Sequence, residues 1–197
     1  MQHLIVVAHP RATSFTMSLT RLYAAELEKL GHVQHTYDLY RMGFDPVLPA
    51  KELADDAQRR SWAILRAQEA VRAAEVLTVI YPLWWMSMPA MMKGYIDRVF
   101  ARGFAYEAQD GVVRGLLRGR KCVLITLSAA PLSVLRQSGR WNALLVLEDT
   151  HVFGAAGLEL LEHLHFDNVE PHLSTEVSAR YIAQLQHFVR QRFTRIG

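Results

Sequence analysis

Short apolar runs alternate with longer amphipathic segments along the whole chain. Five runs are predicted as strands, most of them rich in β-branched residues, as is typical of strands buried on both faces: residues 4–8, 33–39, 76–81, 122–127 and 158–164. Helical patterns fill the intervals and follow the last run. This alternation predicts an α/β fold: a doubly wound, five-stranded parallel sheet with helices on both faces, in a single domain of residues 1–197.

The helical segments have recognisable starts and apolar faces. The first begins after the capping residues Thr13 and Ser14. The others are predicted over residues 52–74, 89–100, 142–152 and 173–193. Within the 52–74 helix, we expect Trp62, Leu65 and Val71 to be buried.

Composition excludes several classes of function. Of 197 residues, 51% are apolar and 21% charged, which excludes collagen-like and disordered chains. A net charge of +3 is too small to indicate a nucleic-acid-binding protein. The single cysteine, Cys122, excludes a disulfide framework and a zinc site built on paired thiolates. Within its apolar run, Cys122 is interpreted as an inert core thiol.

The longest charge-free stretch, residues 76–92, does not indicate a membrane helix. Its 17 residues include two prolines, and a span needs roughly 20 apolar residues. We expect a buried strand followed by a loop. No export signal is recognisable at the N-terminus, so we expect a cytoplasmic protein.

Three loops that follow predicted strands carry unusual residues, and ligands of doubly wound sheets bind at the carboxyl ends of strands. The loop at residues 9–15 ends in hydroxyl side chains at a helix start, where free backbone amides favour an anion such as a phosphate. The alternative is that Thr13 and Ser14 only cap the helix. Neither a P-loop nor a Gly-x-Gly-x-x-Gly dinucleotide motif is present.

The loop at residues 82–89 is apolar and aromatic, whereas most loops are polar. Its adjacent residues Trp84 and Trp85 favour packing against a planar ligand. The alternative is a loop buried beneath another loop or in a dimer interface. The third loop covers residues 126–139.

These motifs resemble, in order and spacing, the signature of the flavodoxin-like NAD(P)H:quinone oxidoreductases. The similarity rests on Pro-Leu-Trp-Trp at residues 82–85, on residues 89–100 and on Gly-Phe-Ala-Tyr at residues 103–106. It extends to Ala-His at 8–9, Thr-Ser-Phe at 13–15 and Asp-Leu-Tyr at 38–40, and so covers nearly the whole chain.

The resemblance implies a flavodoxin-like fold and a non-covalently bound flavin that takes a hydride from NADH or NADPH and reduces a quinone. It implies that the flavin phosphate end contacts His9, Thr13, Ser14, Phe15 and Thr16. It assigns the flavin ring to two groups of residues, Pro82, Leu83, Trp84, Trp85 and Met86 on one side and Thr126, Leu127, Ser128 and Ala129 on the other. It also implies a homodimer in which Tyr106 serves the partner subunit's pocket, and no metal.

The third loop departs from the family pattern. Relatives carry Thr-Thr-Gly-Gly followed by a tyrosine and a histidine, whereas this chain has Thr-Leu-Ser-Ala at residues 126–129. A gap-free alignment puts Val134 and Arg140 at the tyrosine and histidine positions. A guanidinium does not act as a general acid, so Arg140 is predicted to stabilise the anionic reduced flavin electrostatically.

Three other features receive structural interpretations. His163 and His165 lie two residues apart in a predicted strand and lack the further ligands of a metal site. Residues 111–119, with three glycines and two arginines, are predicted as a basic, turn-rich loop. Glu148 and Asp149 are predicted on a solvated helix face.

Two questions stay open at the level of sequence. The leading function is a quinone reductase; the alternatives are a flavoprotein that regulates a potassium efflux transporter in the membrane and a nitro- or azo-reductase. The cofactor is predicted as FAD, with FMN as the alternative, because Thr-Ser-Phe-Thr at residues 13–16 looks like FAD-binding relatives.

Overall fold

A computed structural model describes residues 1–53, 60–170 and 173–194. Within these residues, seven strands are defined: β1 (Gln2–Val7), β2 (Val33–Asp38), β3 (Val76–Pro82), β4 (Tyr106–Gln109), β5 (Val112–Gly115), β6 (Lys121–Leu127) and β7 (Glu159–Phe166). The same part of the chain contains six α-helices: α1 (Phe15–Lys29), α2 (Trp62–Ala73), α3 (Ala90–Val99), α4 (Leu132–Gln137), α5 (Arg140–Leu144) and α6 (Thr175–Phe193). A π-helix spans Leu145–Gly154 and a 3₁₀ turn spans Ala50–Glu52.

The main sheet is parallel throughout, with the strand order β2-β1-β3-β6-β7. This is the flavodoxin-like arrangement of doubly wound folds. The predicted fold class and the five predicted strands are confirmed. The stretch considered as a membrane span forms β3, and no described helix is long and apolar enough to cross a bilayer.

Alternate strand residues point to opposite faces of the sheet, and each face packs against its own helices. In β1, Leu4 and Val6 join the core beneath α2, α3 and the π-helix. Ile5 and Val7 join the core beneath α1 and α6. All four residues are nearly inaccessible to solvent, which explains why β1 is continuously apolar instead of alternating.

The prediction for helix α2 had the wrong buried face. Trp62 is 74% exposed and Leu65 is 37% exposed, whereas Val71 is buried as expected. The inward face instead carries Ile64, Ala67 and Gln68. The Gln68 amide donates a hydrogen bond to the backbone oxygen of Val99. Because Ala67 is small and Gln68 is polar, the pattern of apolar residues in the sequence does not reveal this buried face. Of the predicted 52–74 helix, residues 54–59 lie outside the described residues.

Residues 106–115 form an antiparallel hairpin, β4–β5, where the sequence prediction had a loop from residue 111. Asp110 and Gly111 both have positive φ, of 52° and 77°, as a tight two-residue turn requires. Gly115 closes the hairpin against the chain at Gly157: a Cβ on Gly115 would lie 2.3 Å from that backbone nitrogen. The glycines in this stretch thus serve a defined turn and a close backbone contact.

The helix predicted over residues 142–152 is present but wound differently, as α5 followed by the π-helix. The solvated face predicted for Glu148 and Asp149 is wrong, because Glu148 is only 5% exposed and the Asp149 side chain only 13% exposed. A π-helix pairs residues i and i+5, and in this winding the Glu148 carboxylate meets the Tyr81 hydroxyl while Asp149 meets His163.

Candidate active site

One cavity of about 470 Å³ lies at the carboxyl ends of β1, β3 and β6. The strand order reverses between β1 and β3, which is where ligands of this fold class bind. All three loops singled out in the sequence meet here. The predicted residues in its lining are His9, Thr13, Ser14, Phe15, Thr16, Pro82, Leu83, Trp84, Leu127, Ser128 and Ala129.

The start of helix α1 forms one end of the cavity. The Ser14 hydroxyl accepts a hydrogen bond from the Met17 amide at 3.3 Å, as a helix cap does. The first intrahelical bond runs from the Ser18 amide to the Ser14 carbonyl, so the amides of Phe15 and Thr16 have no intrahelical acceptor and remain available to a ligand. The first turn of α1, which is fully described, holds no acidic side chain. Both interpretations of this loop are therefore compatible: Ser14 caps the helix, and the same turn can hold an anion.

Arg41, which sequence analysis did not single out, fixes the β1–α1 loop. Its guanidinium donates to the backbone oxygens of His9 and Pro10, each at 2.7 Å. The Nδ1 atom of His9 lies 3.1 Å from the Arg11 amide, and its ring makes an edge contact with Trp84 at 6.1 Å between centroids. Burial is the largest influence on the His9 pKa and lowers it, so the imidazole is predominantly neutral at pH 7.

The loop at residues 82–89 makes a strained turn at the cavity edge. Trp84 and Ser87 exchange two backbone hydrogen bonds, of 3.0 and 3.2 Å, around Trp85 and Met86. Both central residues have positive φ, 54° and 59°, which costs roughly 1–2 kcal/mol for each non-glycine residue. Strain of this kind occurs where structure serves a site.

Trp85 and Met86 do not line the cavity, although Trp84 does. The Trp85 side chain is fully exposed. Met86 packs on a small cluster that contains Leu135 and Trp141. Burial beneath another loop therefore does not explain Trp85.

The third loop places Ser128 at the cavity wall and Thr126 behind it. Thr126 has no exposed surface and Ser128 is 7% exposed. The Ser128 carbonyl accepts a hydrogen bond from the Val169 amide at 2.8 Å. This bond ties the loop to the segment after β7.

Six residues of the lining were not predicted from the sequence: Arg11, Ser18, Val169, Glu170, Leu173 and Ser178. Four of them follow β7, and the rule that ligands bind at strand ends would have found that loop had it been applied to the fifth strand.

Tyr106 and Arg140 do not line this cavity. Tyr106 begins β4 and lines a second cavity of about 670 Å³ together with Ile96, Phe100 and Val113. Arg140 lies exposed at the start of α5, and Val134 is exposed in α4. Within one subunit, both predicted catalytic residues thus lie away from the first cavity.

A polar network is buried behind the Ser128 side of the cavity. The Thr126 hydroxyl lies 2.8 Å from a ring nitrogen of both His163 and His165. The His163 ring contacts Asp149 of the π-helix at 2.8 Å. In the same helix, the carboxylate of Glu148 accepts a hydrogen bond from the Tyr81 hydroxyl, and burial raises the Glu148 pKa. Among the described residues, no group of three or more potential metal ligands is clustered.

The donor set of the first cavity fits a flavin nucleotide. Hydroxyl groups and helix-start amides at one end suit a phosphate, and Leu83, Trp84 and Leu127 offer apolar surface to a planar ring. The fold and the cavity together define a doubly wound α/β protein with a pocket suited to a nucleotide at its switch point, the place between β1 and β3 where the strand order reverses.

Comparison with known proteins gives the family. A family model described as the flavodoxin-like fold matches residues 1–189, and the chain belongs to this family. An uncharacterized NAD(P)H oxidoreductase of Haemophilus influenzae is 29% identical over 94% of this chain and 92% of its own length. NAD(P)H dehydrogenase [quinone] 1 of Cavia porcellus is 28% identical over 93% of this chain and 76% of its own. Among solved structures, Smu.1420 from Streptococcus mutans is 28% identical, with a TM-score of 0.83 over 97% of this chain and all of its own.

Proposed function

We propose that this protein is a flavin-dependent NAD(P)H:quinone oxidoreductase. The observation that carries the proposal is one cavity at the β1–β3 switch point that joins an anion-binding helix start to an aromatic wall. The names of the NAD(P)H oxidoreductase and quinone dehydrogenase relatives support the same reaction class. The overall reaction is NAD(P)H + H⁺ + quinone → NAD(P)⁺ + hydroquinone.

The chain's own residues bind and orient the reactants. The hydroxyls of Thr13 and Ser14 and the amides of Phe15 and Thr16 would hold the flavin phosphate end. Leu83, Trp84 and Ala129 would contact the flavin ring and so would orient nicotinamide and quinone next to it in turn. Bound flavin supplies the hydride-transfer chemistry. Trp85, exposed at the cavity edge, contacts the substrate or a second subunit.

The proposed cofactor is FAD, with FMN as the alternative. The cavity does not end at the helix start but continues to Val169, Glu170, Leu173 and Ser178. Such an extension offers room and polar groups for the second nucleotide of FAD. A pocket for FMN needs no contacts beyond the phosphate.

The proposed assembly is a cytoplasmic homodimer of chains that each form one domain over residues 1–197. Tyr106 is then contributed to the partner's pocket, which agrees with its distance from the cavity of its own subunit. Arg140 remains a proposed electrostatic stabiliser of the reduced flavin. Arg140→Ala is expected to slow flavin reduction by NAD(P)H, as measured by stopped flow; an unchanged rate rules out the role.

A flavin assay and a turnover assay test the proposal together. The purified protein is expected to absorb as a flavoprotein, to release FAD identified by mass, and to oxidise NADH or NADPH with a benzoquinone. A protein that takes up neither flavin contradicts the proposal. A flavin-loaded protein that reduces azo or nitro compounds but no quinone favours the reductase alternative. A loaded protein with no acceptor activity favours regulation of a transporter.

A further inference from the structure

A continuous row of hydrogen bonds runs from the π-helix to the cavity wall. Asp149 Oδ1 lies 2.8 Å from His163 Nδ1, and His163 Nε2 lies 2.8 Å from the Thr126 hydroxyl. The same hydroxyl lies 2.8 Å from His165 Nδ1. His165 Nε2 lies 3.0 Å from the Ser128 hydroxyl, which lines the cavity. Each member between Asp149 and Ser128 therefore has one partner towards the π-helix and one towards the cavity.

The row has two fully bonded states that differ by one proton. In the first, His163 is an imidazolium: it donates to Asp149 and to Thr126, Thr126 donates to His165, and His165 donates from Nε2 to Ser128. The Ser128 proton then points to the Ala130 carbonyl, which lies 2.7 Å away, or to a ligand in the cavity.

In the second state, every bond between His163 and Ser128 runs in the opposite direction. His163 is neutral and keeps its proton on Nδ1 towards Asp149. Thr126 donates to His163, His165 donates from Nδ1 to Thr126, and Ser128 donates to His165 Nε2. One proton has left at Ser128, and every atom of the row is still paired. His165 is neutral in both states and changes only its tautomer.

The surroundings keep the intermediate histidine neutral. Burial, with the adjacent His163, lowers the pKa of His165 to about 4. Trp141 packs over both rings, at 5.1 Å from His163 and 4.7 Å from His165. The other ionisable groups that act on this row are Glu148 of the π-helix, Tyr81 of β3, Cys122 of β6 and Asp167 beyond β7.

We propose that Asp149, His163, Thr126, His165 and Ser128 form a proton wire that delivers one proton to quinone bound in the cavity. The inference rests on the proposed quinone reductase function. NAD(P)H supplies the two electrons as a hydride, and the second hydrogen of the hydroquinone must arrive as a proton. Ser128 gives its proton to the quinone oxygen and receives one from His165. His165 receives a proton from the Thr126 hydroxyl, and Thr126 receives one from the His163 imidazolium. His163 becomes neutral and recovers its proton from solvent between turnovers.

Asp149 is a positioning residue in this scheme, because it orients His163 without contacting the cavity. Ser128 is the only member of the row that lines the cavity. The histidine pair interpreted as structural from the sequence thus acquires a chemical role.

Nitrogen NMR of the imidazole groups, on the flavin-loaded protein, tests the wire without reference to turnover. The His165 signals are expected to show the Nε2–H tautomer when the His163 signals show an imidazolium, and the Nδ1–H tautomer when they show a neutral ring. Thr126→Val keeps the shape of the side chain and removes the hydroxyl, so the tautomer of His165 should no longer follow the charge of His163. Thr126→Ser keeps the hydroxyl and should restore the coupling. A His165 tautomer that ignores the charge of His163 in the wild type overturns the proposal.

A kinetic arm tests delivery to quinone. In mixtures of H₂O and D₂O, quinone reduction by the pre-reduced protein should depend on the deuterium fraction with the curvature of several moving protons. Thr126→Val should slow this step by about 10²-fold, a usual contribution of positioned proton transfer, and make the dependence linear; Thr126→Ser should behave like the wild type. Turnover with no tautomer coupling overturns the wire alone. Coupling in a protein that reduces no quinone overturns the proposed function, and with it the assigned recipient of the proton.

Discussion

Replacing Ser14 by aspartate separates the two roles of the helix start, capping and anion binding. Aspartate caps a helix about as well as serine and also favours the positive end of the helix dipole. Ser14→Asp should therefore leave the free energy of unfolding within about 0.5 kcal/mol of the wild type. Ser14→Ala, which loses the bond to the Met17 amide, should lower that free energy by about 1 kcal/mol.

The same aspartate should be incompatible with a flavin phosphate. A carboxylate about 4 Å from one unit of phosphate charge is repelled by about 4 kcal/mol at an effective dielectric constant of 20. That energy corresponds to about three orders of magnitude in Kd. We expect Ser14→Asp to bind flavin about 10³-fold more weakly and Ser14→Ala to bind it only a few-fold more weakly.

The assay is a fluorescence titration of flavin into protein stripped of its cofactor, with urea unfolding of the same samples. Ser61 supplies a matched control, since it caps α2 in the same way with its hydroxyl 3.4 Å from the Ile64 amide, on the opposite face of the sheet. Ser61→Asp should leave the flavin Kd unchanged. Wild-type flavin affinity in Ser14→Asp would refute the placement of the phosphate at α1.

Three further predictions follow from strained or buried positions. Trp85→Gly should relieve the positive φ without loss of packing, so we expect a Tm equal to or above that of the wild type together with a higher KM for quinone; a lower Tm contradicts the strain argument. Arg98→Ala should lower the free energy of unfolding, measured in urea, by about 3–5 kcal/mol. The substitution leaves the buried carboxylate of Glu52 without the guanidinium that lies 2.8 Å from it. The Arg98 hydrogen bonds hold the Glu52 pKa below its ordinary value. The ionised pair therefore stabilises the protein fully above the unfolded pKa of about 4.3. In the wild type this contribution should be lost as pH falls through the lowered pKa, whereas Arg98→Ala should show no such loss. Gly115→Ala should lower the free energy of unfolding by roughly 1–3 kcal/mol, and Tm by several degrees, because the added Cβ would collide with the backbone at Gly157. Gly111→Asn should leave Tm nearly unchanged because asparagine tolerates positive φ.

The strands and the overall order of elements were predictable because each central strand is buried on both faces. β1 and β6 are therefore continuous apolar runs with little resemblance to amphipathic helices. The β4–β5 hairpin was missed although Asp110-Gly111 is a strong local turn signal. Its strands are short and largely exposed, so they lack the apolar run that marks the others.

The face of α2 and the burial of Glu148 could not be predicted from periodicity. Gln68 and Glu148 are buried because each finds a specific partner, the Val99 carbonyl and the Tyr81 hydroxyl. Those partners lie 31 and 67 residues away in sequence. A hydrophobicity pattern contains no information on such pairings.

The cavity was largely predictable because strand ends and unusual loops mark it directly. His9, Ser14, Trp84 and Ser128 all lie in its lining. The Arg41 contacts to the β1–α1 loop were not predictable, since they depend on how the residues that follow β2 approach that loop in the folded chain.

The π-helix makes chain length itself a determinant of side-chain placement near the cavity. Deleting one residue within Leu145–Gly154 would let the segment return to ordinary α-helical pairing. Each residue beyond the deletion would then turn by about 100° about the helix axis. Asp149 would leave His163, and Glu148 would leave Tyr81. Insertions and deletions in this segment, more than substitutions, are thus the changes by which evolution could connect or disconnect the helix from the strands it covers.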